Sequence, residues 1–283
     1  MTRFSRRSLI ALAAAGSLTL GACSNAEPAL DSNEPTSATS SAGTAEGTSE
    51  SSTASDGTVT VTDNYGEKVV PSPPKRVVAL DNRSFELLDS WGIKPVAAAR
   101  QLVPNSIPGI ADDEDIVDIG NHREPDMEVF VTAEPDVVFN GQRFNERKAE
   151  IDELTGDAAV IDTNFDPKQK PMDEGLKELT TLLGEATGHQ DDAAALNKEF
   201  DDAVAKAKEA YDSEQTVMGL IASGGELSYV APSAGRAIGP FFDMLDLTPA
   251  LEQSGTDNHQ GDDISVEAIA KSNPDWLIVM DRD

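Results

Sequence analysis

Apolar positions along this chain fall into two regimes, short continuous runs and stripes with helical spacing. Val77-Val78-Ala79-Leu80 and Val137-Val138-Phe139 are unbroken apolar runs, the pattern of strands buried on both faces of a parallel sheet. Around them the chain predicts a hairpin from Thr58–Val61 and Lys68–Val70 with its turn at Asn64-Tyr65-Gly66. Phe85, Leu87, Leu88 and Trp91 predict a short helix, capped by Asp81-Asn82-Arg83-Ser84 and ended by Gly92. Further strands are expected at Pro95–Ala99 and Ala158–Ile161, with a helix from about Glu146 to Leu154. Leu176, Leu179, Leu182, Leu183 and Ala186 then share one helical face that stops at Gly188. A second face, Ala193, Leu196, Phe200, Ala203, Val204, Ala207 and Tyr211, predicts a helix of roughly twenty residues, about 30 Å at 1.5 Å per residue. After it the strand-and-helix grammar restarts: strands at Thr216–Ala222 and Leu227–Val230, a loop Ser233-Ala234-Gly235-Arg236, and a helix carrying Phe241, Phe242, Leu245 and Leu247.

One pattern occurs twice. Glu128 is followed seven residues later by Pro135-Asp136, then by an apolar run, and by Arg143 fifteen residues on; Glu267, Pro274-Asp275, Trp276–Met280 and Arg282 repeat the spacing. Each copy predicts a short helix, a tight turn and a strand with an arginine at its carboxyl end, the edge of an α/β sheet where ligands sit. The resulting picture is an α/β chain of two Rossmann-like lobes, residues 58–188 and 213–283, joined by one long helix at 189–212. Arg143 is followed by a further helix and strand but Arg282 is not, so the second lobe is expected to be incomplete at its carboxyl end.

The amino terminus is expected to lie outside the fold. Arg3, Arg6 and Arg7 precede an apolar stretch from Leu9 to Leu20, too short for a permanent span, so residues 1–22 read as a signal peptide. Ser5-Arg6-Arg7-Ser8-Leu9-Ile10 leaves both the general and the twin-arginine export routes open. Leu20-Gly21-Ala22-Cys23 resembles a lipobox, which makes Cys23, the single cysteine, the expected site of lipidation. Residues 23–57, rich in Ser, Thr, Ala, Gly and Glu, are expected to form a flexible tether. The chain would then sit on the extracytoplasmic face of a cell membrane. A formal net charge of −29 makes nucleic acid and anionic membrane surfaces poor partners, and gives weight to any arginines gathered at a cleft.

Lys75-Arg76-Val77-Val78-Ala79-Leu80, Glu124-Pro125 with Pro135-Asp136-Val137-Val138, and Pro274 to Arg282 carry a wider likeness. With the lipobox and the two lobes, they make residues 58–283 resemble the substrate-binding lipoproteins of ABC importers for ferric siderophores and cobalamin. The resemblance implies the class III periplasmic-binding-protein fold, in which a single rigid helix joins the lobes. It is strongest to the catecholate-siderophore binders, and implies that Arg143, Arg236 and Arg282 surround an anionic ferric complex. His259 lies in the loop from which some members ligate iron, although a lone histidine in a polar loop can equally be solvated. Arg83, in the first strand-to-helix loop, is a further candidate for the cleft. Glu128 and Glu267 occupy the positions that dock onto the permease in this family, and as single residues they also read as ordinary solvated helix acids. No intrinsic cofactor is implied; the ferric siderophore is cargo for an ABC permease and ATPase, and a monomer is expected.

Arginine suits such cargo because it is always charged and presents forked donors to paired oxygens. The same positive lining argues against neutral or cationic alternatives among haem, cobalamin and hydroxamate complexes. A zinc or manganese receptor would need converging histidines, and the chain has only His122, His189 and His259. A lipid-anchored enzyme finds no Gly-x-Ser-x-Gly elbow, no HExxH and no cysteine nucleophile beyond the leader. A surface sensor using the same cleft stays open on sequence alone.

Overall fold

The computed structural model describes residues 57–282 and the strand Thr53–Ala54; the signal peptide, Cys23 and most of the expected tether lie outside the described residues. The chain opens with a small antiparallel sheet of β1 (Thr53–Ala54), β2 (Thr58–Asp63) and β3 (Gly66–Pro71). β1 falls inside the stretch read as tether, with Thr53 paired to Val59 and Ala54 to Thr58.

The first lobe follows as β4 (Val77–Ala79), α1 (Asn82–Ser90), β5 (Ala97–Ala98), α2 (Pro108–Ala111), β6 (Val117–Asp118), α3 (Glu128–Thr132), β7 (Val137–Asn140), α4 (Lys148–Thr155) and β8 (Ala159–Asp162). Its five strands are all parallel, in the order β6-β5-β4-β7-β8. Every residue of β4, β7 and β8 is buried, as continuous apolar runs require when helices cover both faces. The strand order reverses direction between β4 and β7, so the loops leaving these neighbours open side by side at one edge.

Two helices lead out of this lobe. α5 (Met172–Thr187) ends at Gly188, whose left-handed φ of 80° lets the chain turn. α6 (Gln190–Ala210) has 21 residues and is tied back to α5 by Asn197 Nδ2, which donates to the Lys177 carbonyl at 3.0 Å, and by the Lys177–Asp201 ion pair at 2.8 Å. Of the apolar face predicted for α6 only Ala193 is buried; Leu196 is exposed and Phe200, Val204 and Ala207 are half-covered. These ties to α5 are polar, so the stripe downstream of Ala193 gains little cover. At its far end the Tyr211 hydroxyl accepts from the Thr248 N–H at 3.0 Å and donates to the Gln215 carbonyl, fastening the helix to the second lobe.

That lobe comprises β9 (Thr216–Ser223), β10 (Glu226–Val230), α7 (Gly239–Met244), β11 (Thr248–Pro249), β12 (Asp262–Asp263), α8 (Val266–Ser272) and β13 (Trp276–Asp281). β9 is central, antiparallel to β10 and parallel to β11 and β13. Its alternation sends Val217 and Ile221 to one small core with Phe242, and Met218 and Leu220 to another with Tyr229. On β13, Trp276, Leu277 and Val279 are exposed, whereas the equivalent run on β7 is buried.

The duplicated pattern forms the same unit in both lobes: α3-turn-β7 and α8-turn-β13. Its Pro-Asp turn has a mechanical role. Asp136 accepts from the N–H groups of Lys75 (2.8 Å) and Arg76 (3.0 Å) ahead of β4, and Asp275 accepts from the Thr216 N–H (2.7 Å) at the start of β9. Each carboxylate holds the neighbouring strand at its entry, so the opposite ends of the strands face the cleft in register.

Candidate ligand-binding site

The site is assembled from loops at the carboxyl edges of these sheets. Leaving β4, Asp81 is buried and caps α1, accepting from the Arg83 N–H at 3.3 Å and from Thr163 Oγ1 at 2.5 Å. Arg83, in the first turn of α1, lays its guanidinium 4.3 Å from the centroid of the Phe165 ring. Its Nη1 is buried without a hydrogen-bond partner. Burial pushes the Arg83 guanidinium below its ordinary range, Asp81 opposes that, and the positive charge of Arg236 adds to it.

Leaving β8, residues 164–171 form a strap across the lobe. The Asn164 side-chain carbonyl accepts from the Gln142 N–H at 2.8 Å, which joins the strap to the loop after β7. The Phe165 ring stands directly over Gly175 of α5, where an added Cβ would meet ring carbons at 2.3 Å.

The second lobe supplies two loops. Residues 231–239 fold back on themselves, with Gly235 N–H donating to the Ala231 carbonyl at 2.8 Å and Gly239 N–H to the Gly235 carbonyl at 3.0 Å, and this presents Arg236. In the other loop Asp262 accepts from both the N–H and the Oγ1 of Thr256 at 2.8 Å, which fixes Gly255, Thr256 and Asp257.

Together these loops enclose a cleft of about 940 Å³. Arg83, Gln142 and the strap from Asn164 to Lys168 line one side; Ser233 to Ala237 and Gly255 to Asp257 line the other. Lys168 Nζ reaches Asp257 Oδ2 across it at 2.7 Å. The cleft therefore combines three cations (Arg83, Lys168 and Arg236), two carboxylates (Asp166 and Asp257) and one aromatic face, so that it carries one positive charge in excess within a strongly acidic chain.

The expected arginine trio is placed differently. Arg236 lines the cleft with Arg83, but Arg143 and Arg282 are not among its lining residues. The Gln142–Asn164 bond pins residue 142 to the strap, and Arg143 next to it is exposed. Arg282 Nη1 donates to the His259 carbonyl at 3.0 Å, so its guanidinium braces the loop that carries His259, itself exposed. Glu128 and Glu267 are exposed in the first turns of α3 and α8. The strap was not singled out by sequence reasoning; the signal was its place after a buried strand, where Phe165 and Lys168 fall at the ligand edge.

Two α/β lobes joined by a long helix, with convergent polar groups between them, make up the class III periplasmic-binding-protein architecture. Over residues 77–283 the chain matches the family described as periplasmic binding protein, and it belongs to that family. It is 28% identical over 223 residues to the petrobactin-binding protein YclQ of Bacillus subtilis, covering 78% of this chain and 67% of that protein. To the ferric-anguibactin-binding protein FatB of Vibrio anguillarum it is 26% identical over 224 residues, covering 79% and 69%. The crystal structure of the periplasmic catecholate-siderophore binding protein VctP from Vibrio cholerae shares the fold, with a TM-score of 0.68, 24% identity and coverage of 80% and 79%.

Proposed function

We propose that this protein captures a ferric siderophore of the anionic catecholate type between its lobes and delivers it to an ABC permease and ATPase for iron uptake. One observation carries the reading. In a chain of net charge −29, Arg83 and Arg236 are brought to the same cleft, and Arg83 keeps a buried N–H donor without a partner. A buried donor on a charged group is costly to leave unpaired, and an anionic ligand oxygen would satisfy it. The Phe165 ring beside it offers an apolar wall to a catechol ring. The relatives named for petrobactin and ferric anguibactin support iron chelates as the cargo class. In this reading Arg143, Arg282 and His259 form the outer reach of the site, and His259 contacts the metal only where the siderophore leaves coordination positions open. The sequence around Cys23 supports a lipid anchor on the extracytoplasmic face.

Calorimetric titration tests the cargo. A ferric tris-catecholate is expected to bind at least tenfold more tightly than a neutral ferric tris-hydroxamate, at about 1.4 kcal/mol per decade. Equal affinities would remove the catecholate assignment.

Glu128 and Glu267 bear on delivery. Each stands exposed at the start of the helix of its repeat, so the pair presents two acids to a two-fold partner. Replacing both with alanine is expected to leave the calorimetric affinity unchanged while cellular uptake of the ferric complex falls to background. Normal uptake by that variant would return both residues to the role of ordinary helix acids.

A further inference from the structure

An ion pair whose two members are both lining residues spans the cleft. Lys168 comes from the strap leaving the first lobe, Asp257 from the loop that Asp262 fixes in the second, and their charged atoms are 2.7 Å apart. Both side chains are more than half exposed, at 69% and 59%, so the pair sits within reach of water and contributes little to holding the fold. Asp257 has a second cationic neighbour. Its hydrogen bond from Lys168 is the largest influence drawing it below the ordinary carboxylate range, and the charge of Arg236 adds to it. Its carboxylate therefore occupies the place where an anion meets two of the three cleft cations.

We propose that Lys168 is a third ligand-contacting cation of the cleft, and that Asp257 is a resident counter-ion which an anionic ligand displaces from it. The physical argument is exchange. A carboxylate held mainly by an exposed pair, with Arg236 acting on it more weakly, gives way to a ligand of higher charge that also engages Arg83 and Arg236. Asp257 in turn is returned to solvent, where a carboxylate is well hydrated. The pair would thus discriminate by charge: a neutral chelate cannot repay the lost contact and leaves it closed. This inference rests on the cleft being the anion site proposed above.

The test uses the full chain and a synthetic hexadentate tris-catecholamide loaded with Fe(III), titrated calorimetrically against wild type and four variants. Lys168→Ala is expected to weaken binding about tenfold, the loss of one charge-assisted contact, and Lys168→Arg to keep it within about threefold. Asp257→Asn is expected to tighten binding by about threefold or more, because the ligand no longer competes with a carboxylate. Unaltered affinity in Lys168→Ala overturns the role of Lys168. Unaltered or weaker binding in Asp257→Asn overturns the displacement. Arg236→Ala separates the two levels: if it too binds normally, the cleft is not the site, whereas if it alone binds weakly, only the exchange at Lys168 is refuted. Both positions are exposed, so matching thermal melts are expected for the Lys168 and Asp257 variants.

Discussion

Replacing Arg83 and Arg236 together with alanine is expected to lower the affinity for a trianionic ferric catecholate by about 100- to 1,000-fold, or about 3–4 kcal/mol. The size follows from the two contacts. A hydrogen bond to a charged partner contributes about 1.5–3 kcal/mol, and each guanidinium can make one or more. The total is reduced because the empty protein already carries a cost: the two cations repel, and burial works against the Arg83 charge. Removing them relieves that cost before any ligand arrives, so the loss is smaller than the sum of two full contacts. Calorimetry on the double variant is the check. An affinity within threefold of wild type would place both guanidinium groups outside the site.

Gly235→Ala should also weaken binding, by a different route. A Cβ at this position would lie 2.5 Å from Val230 Cγ1, 2.6 Å from the Ala231 carbonyl oxygen and 2.7 Å from the Ala231 nitrogen. Two of these three are backbone atoms, which cannot rotate away. The loop has little slack to absorb the clash, since Ser233 and Ala237 already hold left-handed φ values of 60° and 70°. The expected outcome is a shift of the Arg236 turn, at least tenfold weaker binding, and about 1–3 kcal/mol of lost stability on denaturant unfolding. Wild-type values on both measurements would mean that the turn relaxes freely and does not fix the arginine.

Most of the scaffold was legible in the sequence because its strands bury both faces. Val77–Leu80 and Val137–Phe139 admit no surface reading, and Asp81 ahead of Phe85 signals a cap; both became what they predict. The duplicated Glu-to-Arg pattern likewise became the same helix, turn and strand twice. What the pattern cannot convey is where a side chain points once the strand has ended. Arg143 follows a residue bonded sideways to Asn164, and Arg282 is drawn to the His259 carbonyl, and neither bond has a signature in spacing. Arg83 was legible through its place after the first buried strand. Phe165, Lys168 and Asp257 lie in segments with no periodicity, and only tertiary folding brings them to one cleft.

The bare α-carbon of Gly175 has a consequence for how a loaded cleft is felt elsewhere. Phe165 is seated against the backbone of α5 with no room for even a methyl group between them. A ring pressed by incoming cargo has no cushion behind it and passes the load straight into the helix. α5 is tied in turn to α6, whose far end is fastened to the second lobe through Tyr211. A loaded cleft is therefore expected to change amide-exchange protection along α5 and α6, and unchanged protection on adding a ferric tris-catecholate would show that the ring absorbs the load locally.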